Sequence, residues 1–171
     1  MLLVERFKSH RWRLFSQSHP PPGVVAWNAA PTWKAAWGLP EESLWAFGED
    51  IFGNQLVVLA GSTATTLWGH EAGDLFDLHL SPIELLATVL DHGVDWVDYY
   101  IEGTLAVARA RLASVPADSH LHWTTPLILG GQVSEANTSI VERGTHLNGH
   151  AALWKQLFPL DPGTVVIAKP R

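Results

Sequence analysis

Between Ser43 and Leu80 the chain alternates short apolar runs with glycine-bearing breaks, and the runs are too short for helices. The stretch SLWAFGEDIFGNQLVVLAG predicts a strand near 43–48 and another near 54–60, with Gly48-Glu49-Asp50 or Gly53-Asn54 supplying the turn. Gly61-Ser62 turns the chain again, and Thr63–Trp68 is a β-branched third strand. After the loop His70-Glu71-Ala72-Gly73-Asp74, LFDLHL alternates apolar and polar residues as a fourth strand. A meander of short antiparallel strands follows from this spacing.

Helical signals come next. Ser81, Pro82 and Glu84 form a capping box, and Ile83, Leu86, Ala87 and Leu90 recur at helical spacing up to Gly93. A second helix is expected over 95–114, ended by Pro116. TPLILGGQV reads as a buried strand with a Gly-Gly break, NTSIVERG as its neighbour, His150–Phe158 as a short helix and TVVIA as a last strand. Before the meander, residues 1–18 are basic and amphipathic, as a strand or a short helix. His19-Pro20-Pro21-Pro22-Gly23 breaks the chain, and 24–40 reads as irregular with one helical turn. The fold class expected is α+β, with an antiparallel or mixed sheet packed against helices.

With 171 residues the chain suits one domain, and its nine tryptophans exceed what a core of this size usually holds, so some are expected at a pocket or interface. It has no cysteine, which excludes thiolate catalysis, disulfides, zinc ribbons and iron–sulfur clusters. The first residues lack the apolar core of a signal peptide and no long apolar stretch occurs, so a cytoplasmic, non-membrane protein is expected.

Charge is distributed unevenly. No Lys or Arg occurs from Ala35 to Ala108, whereas that stretch holds twelve carboxylates, and the net charge is −6. An acidic middle disfavours nucleic acid and suits a basic protein partner.

The motifs that carry chemistry are sparse. His120-x-His122 puts two imidazoles on one face of an extended segment, and His146 and His150 would share a helix face. Asn148 and Gly149 between the latter pair argue against a continuous helix, and no acid or thiolate joins these four residues at ligand spacing. The expectation is therefore no metal and no cofactor. No nucleophile elbow and no phosphate loop is present, and Glu49-Asp50 would point to opposite faces of a strand, so no catalytic residue is expected. Gly130-Gly131 reads as a bulge or tight turn.

Phe47-Gly48-Glu49-Asp50-Ile51-Phe52-Gly53-Asn54-Gln55 resembles the "F-a-E-D-v-F-G-N-q-F" signature of the SUKH superfamily. Trp68–Asp74 resembles its "v-x-x-W-D-H-E-t-G-e" turn, with Gly69 in place of the usual Asp. Ser81–Leu90 resembles the helix that follows, and Pro126–Gly131 with Asn137 resembles a later "P-F-v-L-G-G-e-y…N" segment. The match covers about 43–167, which makes 1–171 a single SUKH-like domain with 1–40 as an atypical N-terminal extension.

That superfamily includes fungal cell-wall synthesis regulators and bacterial toxin-immunity proteins. The resemblance thus implies a non-catalytic protein-binding role, most often neutralising a cognate toxin; regulatory binding of a protein or small ligand, or an enzyme or metalloprotein reusing the fold, are the alternatives. Combined with the missing cations, it nominates an acidic surface on the strands and turns of 43–77. Glu49, Asp50, Glu71 and Asp74 are its candidate contacts, and Trp45 or Trp68 its aromatic anchors. The competing reading makes both tryptophans core residues and the motif structural, with Gly53 for a turn and Asp50 for a backbone cap.

Overall fold

The computed structural model describes residues 12–18, 23–29, 32–71, 73–92 and 103–160. β1 (Trp12–Leu14), β2 (Leu44–Asp50), β3 (Gln55–Leu59), β4 (Thr65–Trp68) and β5 (Leu75–Asp77) form one sheet in chain order, every pair antiparallel. The expected meander is therefore present, and β1 adds a further edge to it. The fourth strand is shorter than LFDLHL because His79 takes a left-handed φ of 56°. Hydrogen bonding to β4 nevertheless continues to Leu80.

Alternation along β3 assigns the two faces of this sheet. Leu56 packs with Trp12, Leu67, Leu78 and Leu85, whereas Val57 packs with Trp27, Trp33, Leu44, Ala46, Trp68 and Leu147. The first face is covered by α3 (Pro82–His92), which begins as its capping box predicts: Ser81 N–H and Oγ–H both donate to Glu84 Oε2, at 2.8 and 2.7 Å. The second face is covered by two short helices, α1 (Val24–Asn28) and α2 (Trp33–Trp37).

Residues 12–37 are thus built into the fold wherever they are described, rather than appended to it. Trp12, Trp27 and Trp33 are all at most 4% exposed. The Asn28 amide also accepts from Ala46 N–H and donates to Ala46 O, both at 2.7 Å, pairing with the strand backbone as a neighbouring strand would.

A second sheet pairs β6 (Ser119–Trp123) with β7 (Thr138–Glu142), and packs with α4 (Thr104–Arg111) around Ile51, Phe52, Val107, Leu121 and Trp123. Here the expectation needs correcting. TPLILGGQV is not a strand: Leu127–Leu129 form a 3-10 turn that Gly130 and Gly131 close on Leu127 O and Pro126 O. Pro126 starts that turn, and the true partner of β7 is the His120-x-His122 segment. The glycine pair is the tight turn it was read as. Of the second expected helix, 95–102 lie outside the described residues and 104–111 are helical; TVVIA also lies outside them.

The last described helix, α5 (Arg143–Leu157), runs straight through Asn148 and Gly149 and begins well before His150. A helical glycine costs about 1 kcal/mol. Burial of Leu147 and Ala151 and a carboxylate cap offset it: Glu142 accepts from Gly144 N–H and Thr145 N–H at 2.8 and 2.7 Å.

Candidate metal centre

Three of these elements deliver histidines to one place. β6 carries His120 and His122 on one face by its period of two, and α5 carries His146 and His150 on one face by their spacing of four. His70 enters from the end of β4. The His70, His146 and His150 rings lie 4.7–4.8 Å apart centroid to centroid, and His122 lies 4.9 Å from His146 and 5.4 Å from His150.

One potential ligand nitrogen from each of His70, His146 and His150 lies within 4.8 Å of the others, and the three residues are only 2–3% exposed. Burial, reinforced by the neighbouring imidazoles, holds the pKa of His70 and His146 well below 6.5 and that of His150 at about 4. All three are neutral at pH 7, the form in which an imidazole can ligate.

An acceptor-only partner fixes the tautomer of His70, and imidazole–imidazole contacts pair the other two. His70 Nδ1 lies 2.9 Å from Asn54 Oδ1, which can only accept, so His70 donates there and its Nε2 carries the lone pair. Asn54 is itself oriented by donating to Asp50 Oδ2 at 2.8 Å. On the second arm, His120 Nε2 lies 3.0 Å from Glu49 Oε2. With His120 donating to that carboxylate from Nε2 and accepting at Nδ1, His146 Nδ1–H, 3.0 Å away, is the donor of the pair, and His146 Nε2 keeps the lone pair. On the third, His150 Nε2 lies 3.4 Å from His122 Nδ1, a contact in which either ring can donate; with His150 as the donor, its Nδ1 carries the lone pair. His70 Nε2, His146 Nε2 and His150 Nδ1 are buried and have no hydrogen-bond partner among the described residues.

Glu49 anchors the second arm. Besides His120, it meets Arg143 at 2.8 and 2.9 Å, Gln55 Nε2 at 3.2 Å and Arg13 at 3.6 Å. Burial opposes its charge, but His120, Arg143 and Arg13 outweigh burial and hold its pKa at about 2.

The residues nominated from sequence are thus divided by the fold. Glu49 and Asp50 are fully buried and Trp68 is 2% exposed, so none of the three lies on a surface open to a partner. Glu49 fails as a contact because two guanidinium groups and His120 enclose it. Asp50 caps the hairpin turn, accepting from Phe52 N–H and Asn54 N–H, both at 2.9 Å. Trp68 is core. Glu71 is half-buried, accepting weakly from Leu127 N–H, and Asp74 is exposed. Trp45 is 47% exposed and lines a groove of about 470 Å³ with Val25, Glu41, Glu42, Val58 and Leu59.

Gly53 has the turn role assigned to it and a second one. Its φ is +98°, and a Cβ there would sit 2.7 Å from His120 Nδ1 and 3.2 Å from His146 Nδ1. The sequence singled out four of the five histidines as two local pairs. It missed His70 as their partner and Glu49 as the acid behind His120, because both arrive from other strands.

No family model and no curated protein matches the chain. Among solved structures, it is similar to the crystal structure of Atu4351 from Agrobacterium tumefaciens. The TM-score is 0.58 at 16% sequence identity, over 84% of this chain and 67% of that one, a likeness of fold alone.

Proposed function

We propose that this protein binds a divalent transition metal through His70 Nε2, His146 Nε2 and His150 Nδ1, a reading opposite to the one drawn from sequence. The observation that carries it is three buried imidazoles with potential ligand nitrogens within 4.8 Å of one another, each ring having one nitrogen engaged and the other without a partner among the described residues. An orphaned buried polar atom is costly, and three on neighbouring rings are explained together by a shared cation. A tetrahedral ion with bonds of about 2.1 Å would draw the nitrogens to roughly 3.4 Å apart, a contraction that side-chain rotation can supply. Imidazole ligands suit zinc, copper, nickel and iron, and the neutral set selects against calcium and magnesium.

Zinc titration with elemental analysis tests the proposal. One tightly held equivalent is expected, lost in His70→Ala and in His150→Ala, and kept in His79→Ala, whose ring is exposed beside Asp77. A wild-type protein that takes up far less than one equivalent, or ligand variants that keep it while folded by circular dichroism, would sink the proposal.

A second reading, recognition of a basic protein segment, is supported by the Trp45 groove. Exposed Val25 and Trp45 offer apolar contact, and Glu41 and Glu42 beside them offer negative charge. It agrees with the SUKH resemblance and a basic toxin domain as partner. Titration with a Lys- and Leu-rich peptide should change tryptophan fluorescence, weaken with salt and fail in Trp45→Ala. An equal response to an acidic peptide would remove the charge argument.

A further inference from the structure

We infer that the three-histidine centre takes its divalent ion together with one small exogenous anion as fourth ligand. The inference rests on the metal-binding reading above and deepens it. The argument is one of charge. All three ligands are neutral imidazoles, so none offsets the two positive charges of the ion. Glu49, the carboxylate behind His120, is already shared by Arg143, Arg13 and His120. Asp50, behind Asn54, is engaged by the turn it caps and by Asn54. These two carboxylates are offset by two guanidinium groups, and the dication would remain uncompensated in a buried site.

Ligand count points the same way. A tetrahedral ion held by three histidines has one position left. His122 is the obvious protein candidate for it, but its Nδ1 faces His150 Nε2 at 3.4 Å, and it stands outside the convergent set. Its place is behind His150, as His120 stands behind His146. Size is bounded by packing: ligands only 2–3% exposed, with Gly53 held against His120, favour an anion of a few atoms, such as formate or azide.

Cobalt(II) is the spectroscopic probe. Loaded protein titrated with azide, and separately with formate, should show saturable shifts of the visible bands. Azide at about ten times its own dissociation constant should tighten cobalt binding roughly tenfold by linkage. His79→Ala, at a ring exposed beside Asp77 and outside the cluster, should leave the azide-free cobalt spectrum and the azide response in place. Cobalt bound at one equivalent with a spectrum indifferent to both anions would overturn the inference while leaving the metal site standing. Failure to bind cobalt or zinc at all would overturn both readings.

Discussion

Two clusters of aromatic rings are linked through Arg143 and Glu49, and they differ in what their ring nitrogens can do. In the indole cluster, Trp33 and Trp37 each pack 4.8 Å from Trp68, and Trp27 lies 6.1 Å from Trp33. In the imidazole cluster the spacings are nearly the same, 4.7–4.8 Å among His70, His146 and His150. Arg143 serves both, stacking 4.0 Å over Trp27 while its fork holds Glu49. An indole nitrogen can only donate. Trp27 finds Gln55 and Trp37 finds Leu147 O, while Trp33 Nε1 has no hydrogen-bond partner among the described residues. The imidazoles leave three such nitrogens, on residues whose potential ligand atoms lie within 4.8 Å of one another. Ring packing alone is therefore no sign of function; convergent, unpaired acceptors are.

The comparison can be broken at either cluster. Trp33→Ala opens the apolar one, where the ring is 1% exposed, and should cost about 3–5 kcal/mol in a urea titration. The loss should be equal with and without zinc. If saturating zinc abolished it, the two clusters would be one cooperative site.

Acid should act on the other cluster. Unfolded imidazoles take up protons below pH 6.5, whereas His150 in the fold does so only near pH 4 and His70 and His146 are depressed well below 6.5. The unfolded chain then binds more protons, so stability is full above pH 6.5 and falls as pH drops toward the folded values. The slope is up to about 1.4 kcal/mol per pH unit for each imidazole, or roughly 3 kcal/mol in total between pH 6.5 and 5.5 after allowing for incomplete titration. A metal-free unfolding midpoint that stays flat over this range would show that these imidazoles are not held neutral.

Gly53→Ala sharpens the contrast, because it strains the backbone and intrudes on His120 without touching a tryptophan. A cost of about 1–3 kcal/mol is expected, with zinc affinity reduced. Unchanged zinc affinity would mean the His120 arm does not position His146. The smallest effect is expected far from both clusters: Ser81→Ala removes the cap of α3 for about 1 kcal/mol, with no change in metal binding.

Local signals in the chain were sufficient for what local physics decides. The meander was legible from alternation and turn glycines, and the start of α3 from Ser81, Pro82 and Glu84. The pairing of His120 with His122 was legible from spacing, and the competing reading of the motif held the turn role of Gly53 and the capping role of Asp50; the pairing of His146 with His150 was not, because the helix that makes it was expected to begin only at His150. By itself the sequence thus determined an α+β chain with an antiparallel meander, no thiol chemistry and one histidine pair.

Where local signals and packing disagreed, packing won. Gly149 argues against a helix, yet α5 passes through it because burial of Leu147 and Ala151 outweighs one glycine. TPLILGGQV has strand-like residues, yet Pro126 and the glycine pair turn it away, and β7 takes 119–123 instead. Tertiary structure alone turned Glu49 inward between two arginines, so that an expected surface contact became the anchor of a hydrogen-bonded arm. It alone brought His70 to His146 and His150 across 76 and 80 residues of chain. Neither event leaves a periodic trace, because a site assembled from the end of a strand, a second sheet and a helix depends on how those elements pack, and spacing along the chain records only what one element holds.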